Sequence, residues 1–272
     1  MFRSVLAAAD FRRQPDPAVL NGARLAHMTG ARLHVLHCIP DGSEPAAHQL
    51  SVGELVEPGA DLAMLRGEPH ELIPARALAV DADVIVLGPR VERSPIHGLL
   101  GTTAEKVIQS SRIPCLLSNA PLVEPPHSIL LAMDRSVPAR EALRVCTTLI
   151  RQLSARGIDV NVHLLNVSAF AQPGRRWGPG WIDLRKYAGK MQSAVGSAVI
   201  THGVFSAPLP ADGILDRVRS SSPDLLVLGT HGLGTVGRFL MGSVARNVAN
   251  AAAVPILLVP PASDRRHGFA AG

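Results

Sequence analysis

The sequence contains the same unit twice, and this internal repeat constrains the fold more than any other feature. Residues 83–119 match residues 224–260, and in each copy an apolar strand, a glycine-containing loop, a helix and a second apolar strand follow one another. The start of the unit repeats as well, because SVLAAAD at 4–10 corresponds to SILLAMD at 128–134. The chain is therefore a tandem of two similar units.

Each unit alternates short β-branched or leucine-rich runs with helical patterns, which is typical of a parallel sheet with helices on both faces. We predict an α/β protein with two tandem open five-stranded parallel sheets, each in strand order 3-2-1-4-5. The 272 residues suffice for two domains, at 1–121 and 122–272, joined by the proline-rich segment 120–127. Strands are expected near 4–9, 31–38, 60–65, 83–87, 113–118, 128–133, 158–167, 196–202, 224–228 and 255–259, and helices near 15–29, 69–80, 101–111, 137–155, 180–194, 210–221 and 242–252.

Composition narrows the class of protein. No apolar run approaches the roughly 20 residues that span a bilayer, and the N-terminus lacks the pattern of a secretory signal, so we expect no membrane partner. The net charge is +5, but the basic residues are scattered rather than gathered on one element, and we do not expect a nucleic-acid partner. The cysteines are odd in number, lack CxxC spacing and are expected to be buried reduced thiols of a cytoplasmic protein: Cys38, Cys115 and Cys146.

A nucleotide site is predicted in the second half. In a doubly wound sheet, ligands bind at the carboxyl ends of the strands where the strand order reverses, which here is between strands 1 and 4. Strand 1 ends at Asp134, which can accept from a sugar hydroxyl, and strand 4 ends at Gly229. Gly229 and Gly232 allow a positive φ and a close backbone approach. Gly242 and Ser243 lie where the next helix begins and its N–H groups attract an anion, and the Ser243 hydroxyl can cap the helix or donate to a phosphate.

The spacing Gly229-x2-Gly232-x9-Gly242-Ser243, after DLLVLG and before a helix closed by VPILLVP, resembles the ATP-binding signature of the universal stress protein family. The resemblance covers essentially the whole chain, in the tandem form. It implies a fold like that of the adenine nucleotide α-hydrolases and ATP as cofactor, with or without Mg²⁺. It also implies a regulatory stress-response role and closing strands that pair across the domain interface, as an intramolecular pseudo-dimer, or in a homodimer.

The resemblance further implies which residues bind the nucleotide. Adenine and ribose would lie near Asp134 and the backbone of Val167, which closes strand 2 of the second half. His231, inside the loop, is either a solvent-exposed histidine or a phosphate contact. The loop and helix residues expected to surround the phosphates are Gly229, Thr230, His231, Gly232, Gly242, Ser243 and Val244.

The first copy departs from this pattern. Val91 replaces the second glycine, and a β-branched residue is costly where φ is positive, so we expect this loop to follow another path. Nucleotide binding in the first half is not favoured. The residues of this degenerate second site would be Asp10, Cys38, Gly88, Gly101 and Thr102.

Several alternatives remain open from the sequence. Gly232–Gly237 also fits the dinucleotide pattern GxGxxG, but it starts four residues after its strand and is followed by a single strand, so we do not favour it. His34, His37 and Cys38 resemble a metal cluster, yet strand alternation separates His37 from the other two, and ordinary sheet residues are favoured.

The segment 168–190 is longer than its counterpart in the first half and contains Trp177, Trp181 and Tyr187 among basic residues. It is a lid, a partner surface, or a loop packed on its own domain. No general base, metal cage or nucleophile accompanies the glycine loop, so at most slow ATP hydrolysis is expected. The alternative function is a nucleotide-independent scaffold that uses the first domain and this segment to bind an unidentified protein.

Overall fold

The computed structural model describes residues 1–11, 15–39, 60–89, 100–168, 181–195, 198–231 and 241–261. Within these ranges the chain alternates strands and helices as predicted, and the largest boundary difference is at the helix expected from residue 180, which begins at Arg185. The strands are β1 (Ser4–Ala9), β2 (Arg32–Ile39), β3 (Asp61–Arg66), β4 (Val84–Leu87), β5 (Cys115–Leu117), β6 (Ser128–Ala132), β7 (Asn161–Ser168), β8 (Val199–Ser206), β9 (Leu225–Gly229) and β10 (Ile256–Val259). The helices are α1 (Pro17–Thr29), α2 (Pro69–Ala79), α3 (Thr102–Ser110), α4 (Val137–Ser154), α5 (Arg185–Val195), α6 (Pro210–Ser221) and α7 (Ser243–Ala251).

The strands form one sheet in the order β3-β2-β1-β4-β5-β10-β9-β6-β7-β8. Each half has the predicted parallel order 3-2-1-4-5. The closing strands β5 and β10 pair antiparallel, with Leu116 opposite Leu257, so they meet within the chain. The two predicted sheets are thus joined into one because both closing edges are apolar and cover each other.

Helices cover both faces of this sheet. One core lies between the sheet and α1, α4 and α5, and the other lies between the sheet and α2, α3, α6 and α7. Both cores contain residues of both halves, and buried apolar surface is the main favourable contribution to folding. The two halves therefore share their hydrophobic cores.

An aspartate repeats its role in the two halves. Asp83 Oδ2 accepts from the backbone N–H groups of Arg3 (2.7 Å) and Ser4 (3.2 Å), which open the first unit. Asp224 Oδ2 accepts in the same way from His127 (2.7 Å) and Ser128 (2.9 Å). The matching aspartates of the sequence repeat thus hold the start of the first strand in each half.

Polar side chains fasten the two halves and the segment between them. Asn119 Nδ2 donates to the carbonyls of Ala249 (3.1 Å) and Ala252 (3.0 Å) at the end of α7. Leu122, in the segment between the halves, is 2% exposed and donates its N–H to Asn21 of α1. The connection is therefore packed against the first half.

None of the helices within the described ranges is both long and apolar enough to cross a bilayer. Cys115 and Cys146 are buried as predicted, and burial raises the pKa of each thiol to about 12. Cys38 is half-buried, and burial raises the pKa of its thiol to about 11. All three are thiols rather than disulfides.

Candidate functional site

The ends of β6 and β7 bring two predicted nucleotide contacts side by side. Ala132 pairs with Leu165 in the register of these strands, and Asp134 and Val167 each lie two residues further along. The Leu165 carbonyl accepts from Met133 on the β6 side, whereas the Ser168 carbonyl accepts from the β8 side. Because backbone groups alternate along a parallel strand, the N–H and C=O of Val167 point towards Asp134, beyond the end of β6.

One carboxylate oxygen of Asp134 is bonded to the backbone nearby, and the other is open. Its Oδ1 accepts from the N–H of Ser136 at 2.9 Å, and Ser136 in turn caps α4 by accepting from the N–H of Ala139. This turn is the ordinary role of an aspartate before a helix. Oδ2 has no partner within the described part of the chain, and the side chain is half-buried.

Gly229 is required by packing rather than by its backbone conformation. A Cβ at this position would lie 2.7 Å from Cβ and 2.8 Å from the carbonyl carbon of Pro138, in the first turn of α4. Among the described glycines, positive φ occurs at Gly30, Gly67 and Gly157 and not at Gly229, so Gly229 does not adopt the positive φ that a glycine allows. The close approach is to α4.

The glycine loop is closed at its base by backbone bonds. The buried Thr230 donates its N–H to Val259 at 2.9 Å and accepts from the N–H of Gly242 at 2.8 Å. The amide of Gly242 is therefore engaged in closing the loop. Gly232 and the rest of 232–240, which includes the GxGxxG alternative, lie outside the described residues.

The start of α7 presents N–H groups that no side chain of the described residues caps. Gly242 is the N-cap, in an extended conformation with φ −63°, and makes no side-chain capping bond. Ser243 is the exposed first residue of the helix rather than its cap, and Val244 follows half-buried. The N–H groups of a first helical turn have no partner within the helix and attract anions. A phosphate contact at Ser243 and Val244 stays a prediction.

Two buried polar atoms in this region have no hydrogen-bond partner within the described part of the chain. One is the hydroxyl of Ser168, which is fully buried directly after Val167. The other is Nε2 of His231, whose Nδ1 bonds to the Thr230 hydroxyl at 2.8 Å. Burial lowers the pKa of His231, which favours its neutral imidazole. An unpaired buried polar group costs about 1–3 kcal/mol, which favours a ligand that supplies the missing bond.

Sequence reasoning did not identify Ser168. The signal available was a serine at the end of this strand, directly after the predicted adenine contact. The corresponding position of the first half is Ile39, which is buried and apolar. The polar atom without a partner is thus specific to the second half.

The first half forms a different arrangement at the end of β1. Asp10 is exposed, and the N–H groups of Asp10 and Phe11 both donate to Asp16 Oδ2 at 3.0 Å. Phe11 has a φ of 55°, and its ring lies 5.1 Å from the ring of His37. An aromatic side chain therefore occupies the region that follows β1, where the second half has Arg135.

The other residues of the degenerate first-half site resemble their second-half counterparts to different degrees. Gly101 is the extended N-cap of α3, and Thr102 is its exposed first residue, as Gly242 and Ser243 are for α7. A Cβ at Gly88 would meet nothing within 4 Å, unlike one at Gly229. The half-buried Cys38 stands at the place of Val167.

The histidines of β2 have separate partners. His34 Nδ1 bonds to Asp61 Oδ2 at 2.9 Å, on the face that carries α2. His37 Nδ1 bonds to the carbonyl of Ala9 at 2.9 Å, on the opposite face. Strand alternation therefore separates these side chains as the sequence indicated.

The described part of the long segment 168–190 packs on its own domain. Ile182 and Leu184 are buried in the core beside α5, and the Ile182 N–H donates to Asn166 at 3.3 Å. Residues 169–180, with Trp177, lie outside the described ranges. The packed-loop alternative therefore holds for the residues next to α5.

Comparison with known proteins identifies the family. The universal stress protein family model matches residues 1–119 and 126–260. A universal stress protein of Mycobacterium tuberculosis (strain ATCC 25618 / H37Rv) is 25% identical over 202 residues, which span 69% of this chain and 62% of that protein. The crystal structure of a universal stress protein from Archaeoglobus fulgidus DSM 4304 covers 95% of this chain and 98% of its own, with a TM-score of 0.71 and 18% identity. The family model matches the chain twice, and the 3-2-1-4-5 strand order recurs in each matched half. The chain therefore belongs to the universal stress protein family, in a tandem two-unit form.

Proposed function

We propose that the second half of this protein binds an adenine nucleotide, with ATP as the physiological ligand, with or without Mg²⁺. Occupancy of the site would report the energy or stress state of the cell to a regulatory pathway. The observation that supports this most directly is a set of polar groups that the described residues leave open at one end of the second half. Oδ2 of Asp134 and the Ser168 hydroxyl have no hydrogen-bond partner among these residues, and the backbone of Val167 points beyond the end of β6. The start of α7, which no described side chain caps, lies on the same edge of the sheet.

The chemistry of these groups fits an adenine nucleoside. The N–H and C=O of Val167 point to the same side, and such a donor–acceptor pair matches the acceptor N1 and the donor N6 of adenine. Guanine offers the opposite pattern, with a donor at N1 and an acceptor at O6. Oδ2 of Asp134 can accept from a ribose hydroxyl. The first N–H groups of α7 would then hold the phosphates.

We propose at most slow hydrolysis of the bound nucleotide. The glycine loop motif is not accompanied in the sequence by a general base or a nucleophile. Positioned acid–base groups supply factors of about 10²–10⁴ in rate, so a site without them is better suited to binding than to turnover. A sensor also benefits from a bound state that persists.

The test combines released nucleotide with binding to a matched pair of variants. Purified protein is denatured, the released nucleotide is identified by chromatography, and ATP and GTP binding is measured by calorimetry. Asp134→Asn keeps an acceptor for the Ser136 turn but removes the charge, and we expect ATP affinity to fall roughly tenfold or more. Asp10→Asn, the same change in the first half, should leave affinity unchanged. Gly229→Val is unsuitable because its side chain would collide with Pro138.

Each outcome decides between the candidate functions. Close to one nucleotide per chain, lost with Asp134→Asn, supports a second-half site beside a degenerate first half. Two per chain would show that the first half binds as well. No released nucleotide and no binding of added ATP would reject the proposal and favour the nucleotide-independent scaffold.

A further inference from the structure

A cavity of about 390 Å³ opens at the edge of the sheet opposite the nucleotide site, where β1 and β2 begin. Arg3, Ser4, Gly30, Arg32 and His34 line it. It lies in the first half, whose nucleotide loop is degenerate.

His34 is held in a fixed orientation at this cavity. The residue is 7% exposed, and its Nδ1 bonds to Asp61 Oδ2 at 2.9 Å. Asp61 also accepts from Arg76 at 2.7 Å, and the His34 bond, followed by the charge of Arg76, lowers the pKa of its carboxyl. A carboxylate on Nδ1 fixes the imidazole tautomer, so that in neutral His34 the other nitrogen, Nε2, is an acceptor. Within the described residues Nε2 has no partner.

Three guanidinium groups surround the mouth without carboxylate partners among the described residues. Arg3 and Arg32 line the cavity, and NH1 of Arg156 lies 2.9 Å from where a Cβ on Gly30 would be. The nearby carboxylate of Asp83 is occupied by the backbone N–H groups at the start of β1. Asp83 keeps its negative charge, but an anion that enters would meet three guanidinium groups against this one nearby carboxylate.

The second half shows the same scaffold with two of these charges, those of Arg3 and Arg32, replaced. The register places Ser128 and Asn161 where the first half has Ser4 and Arg32, and His127 stands in place of Arg3. His163 replaces His34, but its Nδ1 bonds to Thr201 rather than to a carboxylate. The repeat thus supplies an internal reference that keeps the fold but lacks the two arginines that line the cavity in the first half.

We propose that this cavity is a binding site for inorganic phosphate in its hydrogen-bearing forms. Arginine forks suit the oxygens of phosphate, and Arg3 and Arg32 can each donate two bonds. Nε2 of neutral His34 can accept a hydrogen bond, which the P–O–H group of hydrogen phosphate supplies. Sulfate has the same shape and the charge of the hydrogen phosphate dianion but carries no proton, so it cannot donate to Nε2.

The experiment follows the imidazole signals of the full-length protein by nuclear magnetic resonance during titration with sodium phosphate. His34→Gln identifies the His34 signals by their loss, and the His163 ring serves as reference in the same spectrum. We expect saturable shifts of His34 with phosphate, at least roughly tenfold weaker binding of sulfate, and no matching shift of His163.

The decisive variant is Arg3→His with Arg32→Asn, which gives the cavity the second half's own residues and should fold, because the repeat accommodates them. It should weaken phosphate binding at His34 roughly tenfold or more. Lys186→Asn with Lys190→Asn removes two exposed charges from α5 and should leave binding unchanged. The proposal fails if His34 does not respond at about 50 mM phosphate, if sulfate binds equally well, or if both double variants behave alike.

Discussion

At the scale of single residues, one glycine of the signature has a structural role that its counterpart lacks. Gly229 contacts the first turn of α4, whereas Gly88 faces open space. Gly229→Ala should lower the free energy of unfolding by about 1–3 kcal/mol, because overpacking against the Pro138 backbone displaces the helix. Gly88→Ala should change it by less than about 0.5 kcal/mol. Urea unfolding of the two variants measures the contrast, and equal effects would contradict the assignment.

The hydroxyl of Ser168 separates binding from stability. Ser168→Ala removes a buried group without a partner, so thermal stability should be unchanged or higher. ATP affinity should fall roughly tenfold if the hydroxyl contacts the nucleotide. Ser118→Ala is the matched control, since its buried hydroxyl also has no partner in the described part of the chain. If both variants kept wild-type affinity in calorimetry, Ser168 would not be a ligand contact.

The positions of some of these residues could be predicted from the sequence and those of others could not, for a physical reason. Asp134 and Val167 could be placed side by side because strand register follows from the repeat and the 3-2-1-4-5 order. The hydroxyl of Ser168 could not be shown to lack a partner, since that depends on every neighbouring side chain. The packing role of Gly229 was also missed. The sequence shows a glycine in either case, whether a steric contact with α4 or a positive φ requires it.

At the scale of elements, the two halves begin their first helices differently. Asp16 caps α1 and accepts four backbone N–H bonds, two from the helix and two from the preceding loop. Ser136 caps α4 and accepts one, from Ala139. The longer loop before α1 places Phe11 at the end of β1, which the alignment of Asp10 with Asp134 did not reveal.

This difference predicts unequal costs for removing the two caps. Ser136→Ala should destabilise by about 1 kcal/mol, the usual value for a lost N-cap. Asp16→Ala should cost at least about 2 kcal/mol, because it also leaves the loop N–H groups without their acceptor. Urea unfolding monitored by circular dichroism gives both values. A smaller loss for Asp16→Ala than for Ser136→Ala would contradict this account of the loop.

At the scale of the whole molecule, the repeat predicted two domains, and the structure joins their sheets and cores. Nothing in one half's sequence shows that its closing strand will be buried against the other half, because an apolar edge can pair with any similar edge. The resemblance to the family limited the choice to the domain interface or a homodimer. The antiparallel β5–β10 ladder shows the first of these.

Separating the halves should therefore turn an intramolecular pair into an intermolecular one. A fragment of 122–272 would expose β10, whose residues Ile256, Leu257 and Leu258 are at most 2% exposed in the intact chain. Since β10 already accepts an antiparallel partner, two fragments should pair through it as a closed two-fold dimer. Sedimentation should give a dimer for the fragment, and Leu257→Lys should dissociate or unfold it. A stable monomeric fragment would show that the shared sheet is not needed for the second half to fold.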